Sequence, residues 1–328
     1  MGNRCLGVYL PGALTPFNSP SFILLNNYTC TNKIIKLSNT TFMCINMDLI
    51  DVILNNIWVI FIVISLVYPR FQQQALNRAR RQELTNLGKK RGSNVITLIH
   101  RQEVISLFGL PLSRYIDIED SEEVLRAIRM TPPDTPIDII IHTPGGIALA
   151  ATQIAFAMES HPGKTAVMVP HYAMSGGTLI ALAADEIIMD PNAVLGPVDP
   201  QLGDQQGIYS ASSILKVVEK KKIDEIDDRT LYLAEESRKA IDQMKKLVHK
   251  LVSDHHDEAE SERIVEELVS GKYTHDFPIA APETCELLGD CVNTNLPKEV
   301  YNLMQYYKMG TNSRRPSVEF VPASGNKK

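Results

Sequence analysis

Two glycine turns, each joining an apolar run to a run of small residues, constrain this chain more than any other feature. Ile137-Asp-Ile-Ile-Ile141 leads into His142-Thr143-Pro144-Gly145-Gly146, and residues 147–158 read as a helix. Lys164-Thr-Ala-Val-Met-Val-Pro170 leads into His171-Tyr172-Ala173-Met174-Ser175-Gly176-Gly177-Thr178, and residues 175–184 read as the next helix. Short, β-branched apolar runs predict buried strands, and the Ala- and Leu-rich segments after them predict helices. Two strand–turn–helix corners about thirty residues apart predict neighbouring strands of a parallel sheet whose turns open on the same edge.

Ser175 opens the second helix, so a tight turn presents its hydroxyl while the N–H groups of Gly176 and Gly177 have no partner within the helix. That is what an acyl-transfer nucleophile needs: a lifted hydroxyl, with backbone donors beside it for the developing oxyanion. Ser-Gly-Gly alone is a common turn. The second glycine corner is what strengthens the case, because it can supply another backbone N–H.

The rest of the chain places these corners in one domain of 93–309. Residues 94–99 read as a strand and 119–130 as a helix. Strand 186–190 and loop 191–203 follow, then helix 212–222 and a long charged helix over 228–270. Short helices around 281–288 and 298–307 come last. This alternation predicts an α/β domain with mostly parallel strands. Residues 310–328 are polar and read as a disordered tail.

Residues 47–69 hold a run of Ile, Val, Leu, Trp and Phe, and about 20 such residues cross a bilayer core. Asp48 and Asp51 precede the run, while Arg70, Arg78, Arg80, Arg81, Lys89, Lys90 and Arg91 follow it. The positive-inside rule then predicts a single-pass membrane anchor with a cytoplasmic catalytic domain. Residues 70–92 read as a basic juxtamembrane helix resting on anionic headgroups. Residues 1–46 are Asn- and Thr-rich without periodicity and read as an irregular extension, with Met47 as the expected true start.

The stretch around Pro144-Gly145-Gly146 and Met174-Ser175-Gly176-Gly177 resembles the Clp protease/crotonase superfold. With the anchor and Val95-Ile-Thr-Leu-Ile-His-Arg-Gln-Glu103, the resemblance narrows to the serine dehydrogenase proteinase family of prokaryotic membrane peptidases, related to signal peptide peptidase A. It covers roughly 47–309. The resemblance implies a core of ββα repeats and a serine nucleophile at Ser175. It also implies an oxyanion hole from the N–H groups of Gly146 and Gly176, homo-oligomer formation, and membrane or membrane-proximal proteins as substrates.

The proton acceptor is less directly marked. Where the soluble Clp protease carries its histidine stands Pro200, and no histidine occurs between His171 and His249. Relatives of signal peptide peptidase A use a lysine, and the stomatin-partner branch carries one at a distance comparable to Lys216. Lys216 lies in Ser212-Ser213-Ile214-Leu215-Lys216-Val217-Val218. Spacing alone favours a surface lysine snorkelling from an amphipathic helix, while the resemblance favours a desolvated, neutral amine in this apolar run. His171 is an alternative base or, with Gly145, a substrate-site residue. His142 is expected to position its turn. Asp199 is expected to end a loop or orient Lys216. His275-Asp276 is an unconvincing pair, because adjacent side chains seldom meet on one target.

A crotonase-type acyl-CoA enzyme and a catalytically silent membrane scaffold are the rival readings. The formal net charge of −5 gives no reason to expect nucleic acid. The five cysteines show no metal spacing, and no Gly-x-Gly-x-x-Gly loop supports dinucleotide chemistry. No cofactor is expected.

Overall fold

The computed structural model describes residues 56–100, 105–107, 110–112, 115–204, 207–307 and 318–321. The extension 1–46 and the start of the expected anchor lie outside the described residues. Helix α1 (Ile57–Arg91) is followed by β1 (Asn94–Ile99), an antiparallel pair β2 (Ile105–Leu107) and β3 (Leu110–Leu112), and α2 (Ile118–Met130). Next come β4 (Ile137–His142), α3 (Ala148–Glu159), β5 (Thr165–Val169), β6 (Tyr172–Ala173), α4 (Gly176–Leu182), β7 (Glu186–Met189) and β8 (Val194–Leu195). A ribbon of β9 (Gln201–Asp204) and β10 (Gly207–Ser210) precedes α5 (Ala211–Lys220), α6 (Asp228–Val252) and α7 (Glu258–Val269). The last elements are β11 (Ile279–Ala280), α8 (Ala281–Leu288), β12 (Val292–Asn293), α9 (Lys298–Met304) and β13 (Val318–Val321).

The six-stranded sheet runs β12-β7-β5-β4-β1-β13. It is parallel except at β13, which lies antiparallel to β1 in the register Leu98↔Val318. A small second sheet, β11-β8-β6, holds the strand that leads to Ser175. This is the α/β architecture expected.

The central strands are buried on both faces, which is why they read as unbroken apolar runs. Successive side chains still alternate. Ile139, Ile141, Val167 and Val169 join the layer with α3, α4, α6 and α7, while Ile140, Ala166 and Met168 join Leu84, Leu87, Val300 and Leu303. Each of the larger side chains, Ala166 aside, contributes about 1.5–3 kcal/mol of transfer energy, much of it offset by ordering the chain.

Three expectations change. The charged helix predicted over 228–270 is two helices, because Asp257 caps α7 by accepting the Glu260 N–H at 2.8 Å. The tail predicted as disordered contributes β13 to the main sheet. The basic segment 71–91 is built into the domain at its C-terminal end. Arg80, Leu84 and Leu87 are buried there, and Arg80 donates to the Tyr306 carbonyl and lies over the Tyr307 ring. Arg91 grips the buried Asp138 with two bonds of 2.6 and 3.0 Å. Burial works against the Arg91 charge, but this pairing outweighs it and raises the pKa above its ordinary value.

Two compact units divide at Val67/Tyr68. In the first, the α1 side chains of Trp58, Phe61, Ile62 and Leu66 are exposed. Among the described residues α1 is one helix long and apolar enough, by length and composition, to cross a membrane.

Candidate active site

The corner after β6 bends through Ser175, whose φ is 49° and ψ −110°. Among the described residues it is the one non-glycine with positive φ. A side chain in that region costs about 1–3 kcal/mol and is tolerated where the surroundings enforce it. Here they do. Met174 N–H donates to the Thr143 carbonyl at 3.0 Å, Gly177 N–H to the Met174 carbonyl at 2.8 Å, and Leu179 N–H to the Ser175 carbonyl at 3.0 Å. The buried Thr178 hydroxyl bridges the carbonyls of Ala173 and Gly196, both at 2.8 Å.

The corner after β4 meets this elbow directly. Gly145 turns with φ 105°, and a Cβ there would lie 2.9 Å from Ser175 Cβ. Gly146 bridges Ile116 in parallel, with Ile116 N–H bonded to the Gly145 carbonyl and Ile147 N–H to the Ile116 carbonyl, each at 2.8 Å. A Cβ on Gly176 would come within 3.6 Å of Gly146 N and 2.9 Å of Ala151 Cβ. Neither the Gly146 nor the Gly176 N–H has a protein acceptor among the described residues. Two free amides beside a lifted hydroxyl have the layout of a nucleophile with its oxyanion hole.

A family model of ClpP-like, SDH-type serine proteinases matches residues 44–328. The chain belongs to the SDH-type serine proteinases. A protein of Methanocaldococcus jannaschii with no described function is 54% identical over 266 residues, covering 81% of this chain and 91% of that one. A second from the same archaeon is 47% identical over 269 residues, covering 82% and 90%. Among solved structures, a variant of the 1510-N membrane-bound stomatin-specific protease aligns over 57% of this chain and 79% of that one. Its identity is 20% and its TM-score 0.41, a likeness that carries no functional information. This SDH-type proteinase is a serine peptidase.

The structure therefore brings Ser175, Gly145, Gly146 and Gly176 together. Lys216 is placed elsewhere. It is exposed on α5, and its Nζ donates to the Gly271 carbonyl at 3.3 Å. The expected apolar setting is absent for a geometric reason. Lys216 lies one turn beyond Ser212 on the same edge of α5 and away from Ile214, so it meets the polar Gly271 backbone and solvent and not apolar side chains.

His171 is exposed at the end of β5, with its ring edge-on to His142 at 5.4 Å between centroids. Nearby, burial pulls the Asp190 carboxyl upward. Hydrogen bonds from the Tyr301 hydroxyl at 2.5 Å and the Asn192 N–H at 2.7 Å outweigh that and hold it below the usual carboxylate range. The same bond pushes the Tyr301 phenol up to about 12.

The cluster missed in the sequence is centred on Asp199. Its buried carboxylate accepts His275 Nδ1 at 2.6 Å, Gln201 Nε2 at 2.9 Å and the Ser210 hydroxyl at 3.0 Å. The Ser210 and Ser212 hydroxyls share a 2.9 Å bond, and Ser212 packs against Gly271, whose carbonyl holds Lys216. His275 thus pairs with Asp199, 76 positions away, and not with its neighbour Asp276. Strand register links this cluster to the elbow: Leu195 pairs with both Ala173 and Ile279, so the chain after Leu195 continues between the chain entering Ser175 on one side and 275–278 on the other. Among the described residues no group of three or more His, Cys, Asp or Glu is placed to hold a metal.

Proposed function

We propose that this chain is a membrane-anchored serine endopeptidase in which Ser175 attacks a peptide carbonyl and Lys216 takes its proton, later returning it to the leaving amine. Gly146 and Gly176 N–H groups stabilise the oxyanion. The observation that carries the reading is the strained Ser175 elbow seated against Gly145. A turn without chemical duty would put glycine there.

For the anchor, the support is the exposed apolar face of α1 before Val67 and the basic residues after it. We extend the reading to a homo-oligomer with a cytoplasmic catalytic domain acting on membrane or membrane-proximal proteins.

Lys216 serves as base only after leaving the Gly271 carbonyl. One long contact at an exposed position is a weak restraint, and the lysine stem is flexible. The Asp199–His275 pair supports a second choice, because a buried carboxylate fixes and polarises the imidazole it holds.

Hydrolysis of a fluorogenic peptide library by the full chain in detergent micelles tests both levels. Ser175→Ala is expected to lower turnover at least about 10³-fold with the fold intact, and unchanged cleavage removes the peptidase mechanism. Lys216→Ala is expected to cost about 10²–10⁴-fold while His275→Gln stays near wild type. The reverse result moves the base to His275.

A further inference from the structure

Thr143 stands between the two halves of the proposed site. Its backbone carbonyl accepts the Met174 N–H at 3.0 Å, and its N–H donates to the Tyr172 carbonyl at 3.2 Å. It therefore braces the residue just ahead of the nucleophile. Its hydroxyl oxygen lies 3.3 Å from the Gly145 N–H, which it accepts, and so also braces the turn ahead of Gly146.

On its far side the same hydroxyl lies 3.0 Å from His100 Nδ1. His100 Nε2 lies 3.1 Å from Asp120 Oδ2, within ion-pair distance though off the line of a well-aligned hydrogen bond. Asp120 is itself held by the capping box of α2: its N–H donates to Asp117 Oδ1 at 2.9 Å and its Oδ2 accepts the Asp117 N–H at 3.1 Å. Thr143, His100 and Asp120 are 0%, 1% and 8% exposed.

A carboxylate, an imidazole and a hydroxyl in a row are the parts of an acyl-transfer triad. A hydroxyl with no exposure cannot meet a substrate, so the row has no nucleophilic role. Its use is mechanical. With Asp120 opposite Nε2, the ring proton belongs on Nε2, and Nδ1 is left to accept the Thr143 hydroxyl. That bond draws the hydroxyl proton away from its other acceptor, the Gly145 carbonyl at 3.3 Å. It leaves a Thr143 lone pair for the Gly145 N–H.

We propose that Asp120 and His100 are positioning residues: through the Thr143 hydroxyl they fix the Gly145–Gly146 turn and with it the Gly146 N–H of the oxyanion hole. The inference rests on Ser175 being the nucleophile. Neither residue touches the reacting atoms. Their loss is expected in the rate of the chemical step and not in ligand binding, because a misplaced oxyanion donor is felt only in the transition state.

The test is phosphonylation of the full chain in detergent micelles by a fluorophosphonate, with the label mapped by mass spectrometry. The maximal rate, the half-saturating concentration and the thermal midpoint are measured separately. Wild-type protein is expected to label at Ser175; absence of label there overturns the nucleophile reading itself. Given labelling, Thr143→Val is expected to lower the maximal rate about 10–100-fold with half-saturation unchanged, and Thr143→Ser to recover most of it. His100→Asn keeps a polar group near Nδ1 and is expected to outperform His100→Gln, which keeps one near Nε2. This pair decides the matter even if Thr143→Val fails to fold. The double variant Thr143→Val/His100→Gln is expected to lose no more than Thr143→Val alone. Wild-type labelling rates in folded variants, additive losses in the double variant, or a change confined to half-saturation would overturn the proposal.

Discussion

At the first corner the backbone turns through Gly145, with φ 105°; at the second it turns through Ser175, with φ 49°. Glycine takes up such a conformation without steric penalty, and serine does not. The contacts differ in kind as well. A Cβ on Gly146 would strike backbone, 2.2 Å from Ile116 O and 2.3 Å from Ile116 N. At the second corner a Cβ on Gly177 would meet a methyl, Thr143 Cγ2, at 2.7 Å, and one on Gly176 would meet Ala151 Cβ at 2.9 Å. The first corner is shaped to hold an amide in place with no side chain in the way. The second is shaped to present one side chain, and its close neighbours are side-chain methyl groups and not backbone.

If that contrast is right, Gly146→Ala has the largest effect on stability. Its methyl has nowhere to go without breaking the two 2.8 Å bonds that join Ile116 to Gly145 and Ile147. The expected cost is about 3 kcal/mol or more, with peptide hydrolysis lost, read from urea unfolding and turnover. Gly177→Ala pushes on side-chain methyl groups, Thr143 Cγ2 at 2.7 Å and Ala173 Cβ at 3.2 Å, and is expected to cost about 1–2 kcal/mol. Equal costs at the two positions would break the comparison.

Thr178→Val comes next and sharpens it. The variant keeps the shape but removes the hydroxyl that bridges Ala173 and Gly196 and accepts the Gly196 N–H at 3.1 Å. A buried amide left without its acceptor costs about 1–3 kcal/mol. The loss is expected at the lower end, because Gly196 sits against the flexible Met174 side chain. A thermal midpoint equal to wild type would show that the second corner is held by its strands alone.

The four central strands of the main sheet, β1, β4, β5 and β7, and both corners were legible because these strands are largely buried and the helices after the corners carry small residues. Ile137–His142 and Thr165–Val169 could hardly be read otherwise. The second sheet was not legible: β6, β8 and β11 have two residues each, too few to show a period. Its strands place Asp199 beside His275, a contact set by long-range register and not by local spacing. β13 was missed for the same reason, since four residues in a polar tail become a strand only when β1 offers an edge. The exposure of Lys216 was one of two settings the sequence allows: its apolar neighbours fit a desolvated amine, its helical spacing fits a lysine reaching solvent, and α5 takes the second. The buried His100–Asp120 contact gave no signal, because a histidine at a strand end and an acid in a helix cap each have an ordinary local explanation.

The smallest expected effect on stability is the most diagnostic. Ser175→Gly relieves a backbone strain of about 1–3 kcal/mol but gives the unfolded chain more freedom, worth about 0.4–1 kcal/mol. The net expectation is a stabilisation of about 1 kcal/mol, which raises the thermal midpoint by about 2–4 °C in a domain of this size. Ser175→Ala is the control, since it removes the same hydroxyl and keeps a Cβ at φ 49°. Both variants are expected to be inactive, and only the glycine variant to be more stable than wild type. Should alanine stabilise as much as glycine, the gain would come from losing the hydroxyl and the elbow would hold no strain. Should glycine alone do so, the chain retains at Ser175 a conformation that its own stability disfavours, and the hydroxyl is what that conformation is for.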